Sequence, residues 1–440
     1  MNGQAVCDVL IVGGGVSGTA LLYQLATFTD LKSITLLEKY ASVAAVNSNG
    51  RNNSQTLHCG DIETNYTLEK ARQVQRTAAM LVNYTGGLAQ RDGIIFKQQK
   101  MIIGVGEQEC ATLVERFNIF SPHYPAMQLL DEKAIHELEP HVVKGRREML
   151  NGIGIVGEYT AVDFAALSES FVEQARTHPN KVVEVSLSTY VSKIAKQGDL
   201  YQVTTNRGQY QARFVVVCAG GHSLLFAHRM GYGHYYSCLP MAGSFYYAPK
   251  CLNGKVYTVQ NDKLPFAAIH GDPDILLPDK TRLGPTALVL PMLERYNIKT
   301  LPEFFQVLRL DHRVLLAFWK LFRVADIRNY ILRNILFEVP GIRQRLFLKD
   351  ARKIIPLLQL ADLQFAKGIG GVRPVMIDKR EAKLHLGEAK IDTGNGIIFN
   401  MTPSPGATSC LGNAERDMRI IADYIGCSIN EALFEERLGF

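Results

Sequence analysis

The sequence predicts an α/β fold in which a nucleotide-binding βαβ domain is interrupted by a mixed-sheet α+β domain, and three stretches carry that prediction. "CDVLIVGGGVSGTALLYQLATF" followed by "SITLLEK" reads as a buried strand, a glycine turn, a helix and a second strand ending in Glu38. "FVVVCAGG", Phe214 to Gly221, is another apolar strand that runs into glycines. From "GIGGVRPVMID" to "SPGATSCLGNAERDMRIIADYIG" the chain returns to strand, glycine turn and helix. A domain visited three times is discontinuous. We expect residues 1–85, 150–235 and 360–440 to form the nucleotide domain, and 86–149 with 236–359 to form the inserted, substrate- and membrane-facing one.

Between these stretches the elements follow in order. "LEKARQVQRTAAMLVNY" has helical periodicity, and alternating strands cluster around "GIIFKQQKMIIGVG". "YTAVDFAALSESFVEQARTH" predicts a helix entered at Asp163 as its N-cap. The segment from "KVVEV" to "CAGG" predicts strands and a hairpin. Aromatic strands ("GSFYYA", "GKVYTVQ") then give way to "HGDPDILLPDKTRLGPTALVLP" and to a long basic helical stretch.

Bulk properties narrow the function. With 440 residues, 47% hydrophobic and 20% charged, the chain supports one large core or two joined ones. Lys and Arg (48) barely exceed Asp and Glu (42), so nucleic-acid binding has no bulk support. The eight cysteines lie scattered without a CxxC pair or metal-ligand spacing, as reduced thiols do, and no metal site is expected. "MNGQAVCD" has no basic start and apolar core, so no cleaved export signal is expected. No apolar window reaches the roughly 18 residues a spanning helix needs.

Gly13, Gly15 and Gly18 form GxGxxG directly between strand and helix, the Rossmann arrangement. Each glycine has a reason there: a tight turn, close backbone approach to a pyrophosphate, and helix–strand packing. Glu38, about 20 residues on, stands where a carboxylate takes ribose hydroxyls. FAD and NAD share this fingerprint. "FVVVCAGG", "GGVRP" and "SPGATSCLGNA" favour FAD, because the last two put small residues before a helix, where backbone N–H groups face the electron-rich edge of a flavin.

Taken together, the chain resembles the D-amino-acid-oxidase-like, or glycerol-3-phosphate-dehydrogenase-like, class of FAD enzymes, and within it the malate:quinone oxidoreductase family. "NNSQTLHCGDIETNYTLEKA", "HGDPDILLPDKTRLGPTA" and "SPGATSCLGNAE" carry the closer match. L-2-hydroxyglutarate dehydrogenases resemble the same three segments, so another 2-hydroxyacid dehydrogenase or oxidase stays open. The resemblance implies FAD contacts at Gly13, Gly15, Ser17, Gly18, Glu38, Lys39, Val191, Ala219, Gly220, Gly371, Gly406, Ala407 and Thr408. It also places the polar run "RNNSQTLHCGD" beneath the flavin, where apolar residues would leave cofactor oxygens unpaired. Asn52, Asn53, Ser54 and Thr56 are the expected contacts there, and His58 either bonds within the loop or positions flavin or substrate.

Oxidising malate requires a base for the hydroxyl proton while hydride leaves the same carbon. His270, expected to follow an apolar strand "PFAAI", is the first candidate, with Asp272 or Asp274 to orient it. Two substrate carboxylates call for arginines, whose planar fork matches them. Arg373 is expected in that role, and Arg282 either there or on the surface.

Eleven Lys and Arg face five acids between Glu303 and Lys353, an excess equal to the net charge of the whole chain, +6. Interleaved with large apolar residues, they read either as a helical subdomain with a solvated basic face or as a surface lying on an anionic bilayer. With the resemblance, the second places the protein on the cytoplasmic face of the cell membrane, passing electrons to a membrane quinone.

Overall fold

The computed structural model describes residues 6–260, 268–385, 387–402 and 405–439. Its first sheet is built on Cys7–Val12, which pairs in parallel with Ser33–Leu37 on one side and Gly208–Val217 on the other. Val182–Ser186 and Ile397–Met401 extend it in parallel, and the hairpin Val191–Gln197/Leu200–Thr205 adds antiparallel to Gly208–Val217. Parallel strands covered on both faces need apolar side chains throughout, and Val9, Leu10 and Ile11 are fully buried. Helix Val16–Phe28 is buried almost all round, held between Phe164–Arg176 and Cys410–Ile425. Asp163 caps Phe164–Arg176 as expected, its Oδ1 accepting from the Ala165 N–H at 2.9 Å and the Ala166 N–H at 3.3 Å.

A second, eight-stranded sheet runs in the order Gln364–Phe365, Tyr246–Pro249, Lys280–Gly284, His270–Pro273, Lys255–Thr258, Lys100–Val105, Leu150–Ile155, Met127–Leu130. Leu150–Ile155, on the nucleotide side of the expected boundary, pairs antiparallel with Lys100–Val105 in this second sheet. A four-stranded sheet joins the two halves of the chain, with Val372–Asp378 antiparallel to Tyr236–Ala242.

The expected strand "PFAAI" is a point of correction. Pro265 to Ala267 lie outside the described residues, Ala268 and Ile269 are not in a strand, and the strand is His270–Pro273 itself. It pairs on both sides, and Asp272 stands opposite Arg282. Charge pairing across the ladder replaces apolar burial there, so hydrophobic periodicity does not reveal it.

The basic stretch forms helices Leu301–Leu308, His312–Arg323, Ala325–Leu336 and Arg343–Ala351. Their inner faces join the cores through Val307, Val314, Ala317 and Phe347. Phe305, Leu315, Trp319, Phe322 and Leu332 point outward and are exposed. Among the described residues no helix is long and apolar enough to cross a membrane.

Candidate active site

A cavity follows the carboxyl ends of the parallel strands, where open α/β sheets place their ligands. Gly13, Glu38 and Ala219, each just past a strand end, form its wall. The glycines are there because side chains do not fit. Gly13 has φ +111°, and a Cβ on it would lie 2.5 Å from the Cys218 carbonyl oxygen. A Cβ on Gly18 would lie 2.0 Å from the Gly13 carbonyl oxygen, which makes Gly18 a packing residue behind the cavity rather than part of its lining.

At the nucleotide end, Glu38 is 8% exposed. Its Oε2 accepts from the Gly14 N–H at 2.7 Å and its Oε1 from the Tyr40 N–H at 2.8 Å, leaving lone pairs for ribose hydroxyls. Lys39, Val191, Gly15 and Ser17 line the same end, and Lys39 is ion-paired with Glu294. Ser48, missed in the sequence, accepts the Val16 N–H at 3.0 Å at the start of the first helix.

The polar run answers to the loop as much as to a ligand. Asn52 Nδ2 donates to the Val46 carbonyl at 2.9 Å while its Oδ1 accepts the Gly370 N–H at 3.0 Å, and Asn53 Nδ2 donates to Asn49 at 2.8 Å. Asn47, also missed, accepts the Val372 N–H at 2.9 Å. These amides tie the run to the strand that carries Arg373. Asn52, Asn53, Ser54, Thr56 and His58 line the cavity, together with Gly220, Gly371, Gly406 and Ala407. Thr408 is fully buried, its hydroxyl accepting the His58 N–H at 3.1 Å. The residues fit FAD. Gly13 and Gly15 bring bare backbone to the cavity wall where a pyrophosphate would lie, a carboxylate stands at the ribose end, and Gly371 lines the cavity beside a guanidinium that has no acid partner among the described residues.

That cation is Arg373, half-buried and lining the cavity. Among the described residues it has no carboxylate or hydrogen-bond partner, and the titratable side chains near it are the neutral phenols of Tyr330, Tyr66 and Tyr257. Burial holds its pKa below the ordinary arginine value with no acid to oppose it. His58 lines the same cavity, and its Nδ1 is 2.7 Å from Glu63 Oε1.

His270 and Arg282 lie elsewhere. Neither is among the described residues lining the cavity, and both are buried. His270 Nδ1 is 2.6 Å from Asp272 Oδ1, and its ring stacks on Tyr257 at 4.6 Å. Tyr257 in turn reaches Thr56 at 3.0 Å. Arg282 is 1% exposed, so the surface alternative is corrected: its guanidinium faces Asp272 at 3.3 Å, Asp274 at 3.6 Å and the Gly50 carbonyl at 3.3 Å. Lys255 joins them, 3.6 Å from Asp272 and 3.3 Å from the Ser54 carbonyl, its pKa pushed down to about 8 by burial. These groups form a buried floor under residues 50–56. Among the described residues no cluster of metal-ligating side chains occurs, and all eight cysteines are free.

Comparison with known proteins adds to this geometry. The family model described as FAD dependent oxidoreductase matches residues 8–416. The chain is 51% identical, over 99% of both chains, to the probable malate:quinone oxidoreductase of Campylobacter jejuni. It is 46% identical to the malate:quinone oxidoreductase of Helicobacter pylori, over 98% of this chain and 97% of the other. To human mitochondrial L-2-hydroxyglutarate dehydrogenase it is 25% identical, over 92% and 86%. In fold it matches the L-α-glycerophosphate oxidase of Mycoplasma pneumoniae with a TM-score of 0.65 at 20% identity, over 97% and 96%.

Proposed function

Because this chain belongs to the malate:quinone oxidoreductase family of FAD-dependent oxidoreductases, we propose that it oxidises (S)-malate to oxaloacetate and delivers the electrons to a membrane quinone. Bound FAD supplies the acceptor for the hydride leaving C2 of malate and the donor for the quinone.

The carrying observation is Arg373, a cavity-lining guanidinium with no acid beside it among the described residues. A half-buried cation facing a cavity without a counterion is poised to take one from a ligand, and a substrate carboxylate matches its fork. Arg373 thus holds one carboxylate and fixes malate in the cavity. His58 takes the C2 hydroxyl proton at Nε2, the ring nitrogen that Glu63 does not engage. His270, Asp272, Arg282 and Lys255 act below the reacting groups, holding the loop that carries His58.

For the membrane we assign the helices from Leu301 to Ala351, whose exposed apolar side chains are interleaved with arginines, to the cytoplasmic face of an anionic bilayer, where quinones dissolve.

The test is anaerobic addition of L-malate to the yellow holoenzyme. Loss of the flavin absorbance, restored by a quinone analogue, is expected. Bleaching by L-2-hydroxyglutarate in preference to malate would overturn the substrate assignment.

A further inference from the structure

Glu63 lies in the same loop as His58, five residues on, and nothing above uses its charge. Its Oε1 is 2.7 Å from His58 Nδ1, its side chain is 10% exposed, and its Oε2 is buried with no hydrogen-bond partner among the described residues. Neighbouring elements hold it in place. Arg116, from helix Glu107–Phe120, donates from Nη2 to the Glu63 carbonyl at 2.7 Å. Lys100, from strand Lys100–Val105, pairs at 2.6 Å with Asp61, two residues before Glu63, with both side chains almost fully buried. Tyr66, Tyr124 and Tyr257 also face this group. Burial pushes the Glu63 carboxyl upward in pKa, but His58 and Lys100 outweigh it and hold the group below its ordinary value.

A loop needing only a tie to His58 would be served by a neutral amide, without the cost of burying a charge. A carboxylate has a use an amide lacks. It accepts only, so it fixes which imidazole nitrogen carries the proton, and it stabilises the imidazolium that forms when the ring takes a second one. We infer that Glu63 is a positioning residue of the alcohol oxidation, accepting the Nδ1 proton of His58 so that the Nε2 lone pair faces the cavity. The inference rests on the reading that His58 is the base. In the step, the substrate O–H bond breaks and an Nε2–H bond forms while hydride leaves C2. The Nδ1–H stays where it is, and the product state pairs an imidazolium with the Glu63 carboxylate.

The test uses Glu63→Gln as FAD-loaded holoenzyme. An amide places its N–H against Nδ1 and turns the tautomer round, so flavin reduction by malate is expected to slow by about 10²–10⁴-fold. The second readout is the ¹⁵N spectrum of histidine-labelled protein at about pH 8.5, above the ordinary imidazole range, with His58 identified by its loss in His58→Gln. The wild type is expected to carry the proton on Nδ1 and the variant on Nε2. An undiminished rate, or a slow variant whose His58 keeps its tautomer, overturns the inference. Should Glu63→Gln not retain FAD, Glu63→Asp decides: its carboxylate must preserve the Nδ1–H tautomer, and a switch to Nε2–H overturns the inference. A dead His58→Gln beside a normal Glu63→Gln removes Glu63 alone, whereas an active His58→Gln removes the base assignment itself.

Discussion

Arg282 and Arg373 are the same residue type in opposite surroundings, and the surroundings assign their work. Arg282 is enclosed by Asp272, Asp274 and the Phe245 ring, 4.8 Å away, so its charge is spent inside the protein. Among the described residues Arg373 has no acid beside it, and its side chain lines the open cavity. A charge-assisted hydrogen bond to a carboxylate contributes about 1.5–3 kcal/mol, so Arg373→Ala is expected to raise the malate KM about ten- to a hundredfold. With no ion pair or hydrogen bond to the described residues lost, its melting temperature should stay near wild type. Steady-state kinetics beside a thermal melt checks both; an unchanged KM would remove Arg373 from substrate binding. The segment "GGVRP" does line the cavity, but it leads into the strand Val372–Asp378 and not into the helix expected after it. The burial of Arg282 was not legible, because its partners come from a neighbouring strand and the residue just after it, ten and eight residues back.

At the scale of elements, local pattern fixed whatever local physics decides. The first strand–turn–helix–strand unit, the Asp163 cap and the late return to the nucleotide domain all follow from apolar periodicity, glycine and a capping side chain. The strand His270–Pro273 was illegible because its stability comes from ion pairs across the sheet. Asp272 joins that strand to Arg282 and Lys255 and also holds His270 within it. Asp272→Asn leaves buried cations without their anion, and we expect a loss of about 3–5 kcal/mol in a denaturant melt. The pH dependence has a definite sign. Although burial raises its pKa, Lys255, His270 and Arg282 hold the Asp272 carboxyl well below its ordinary value of 3.8. Its contribution is therefore complete above that value and declines as pH falls through and below it, as the unfolded chain takes up the proton first. The wild type should lose more stability than Asp272→Asn between about pH 5 and pH 3, and parallel stability curves would refute the account.

Over the whole molecule, basic charge and exposed apolar side chains coincide on the helices between Leu301 and Ala351. The sequence held the charge half of this, the excess of six between Glu303 and Lys353, but not which apolar residues the fold leaves uncovered. In the folded chain, helix His312–Arg323 exposes Leu315, Leu316, Trp319 and Phe322, with the Arg323 guanidinium 4.5 Å over the Trp319 ring. Trp319 is the only tryptophan in the chain and is 55% exposed. Its fluorescence therefore reports on this surface alone. If these helices lie on an anionic bilayer, phosphatidylglycerol vesicles should shift the emission to shorter wavelength as the indole leaves water, whereas phosphatidylcholine vesicles should do so weakly. Each basic residue near such a surface contributes about 1 kcal/mol, and that attraction is screened over about 8 Å at physiological salt. Raising salt should therefore weaken the onset of binding, while apolar insertion, once made, resists it. Trp319→Ser, changing a side chain outside the cavity, should reduce vesicle sedimentation and leave malate-driven flavin reduction in solution unchanged. Emission indifferent to anionic vesicles would place the bilayer contact on another face.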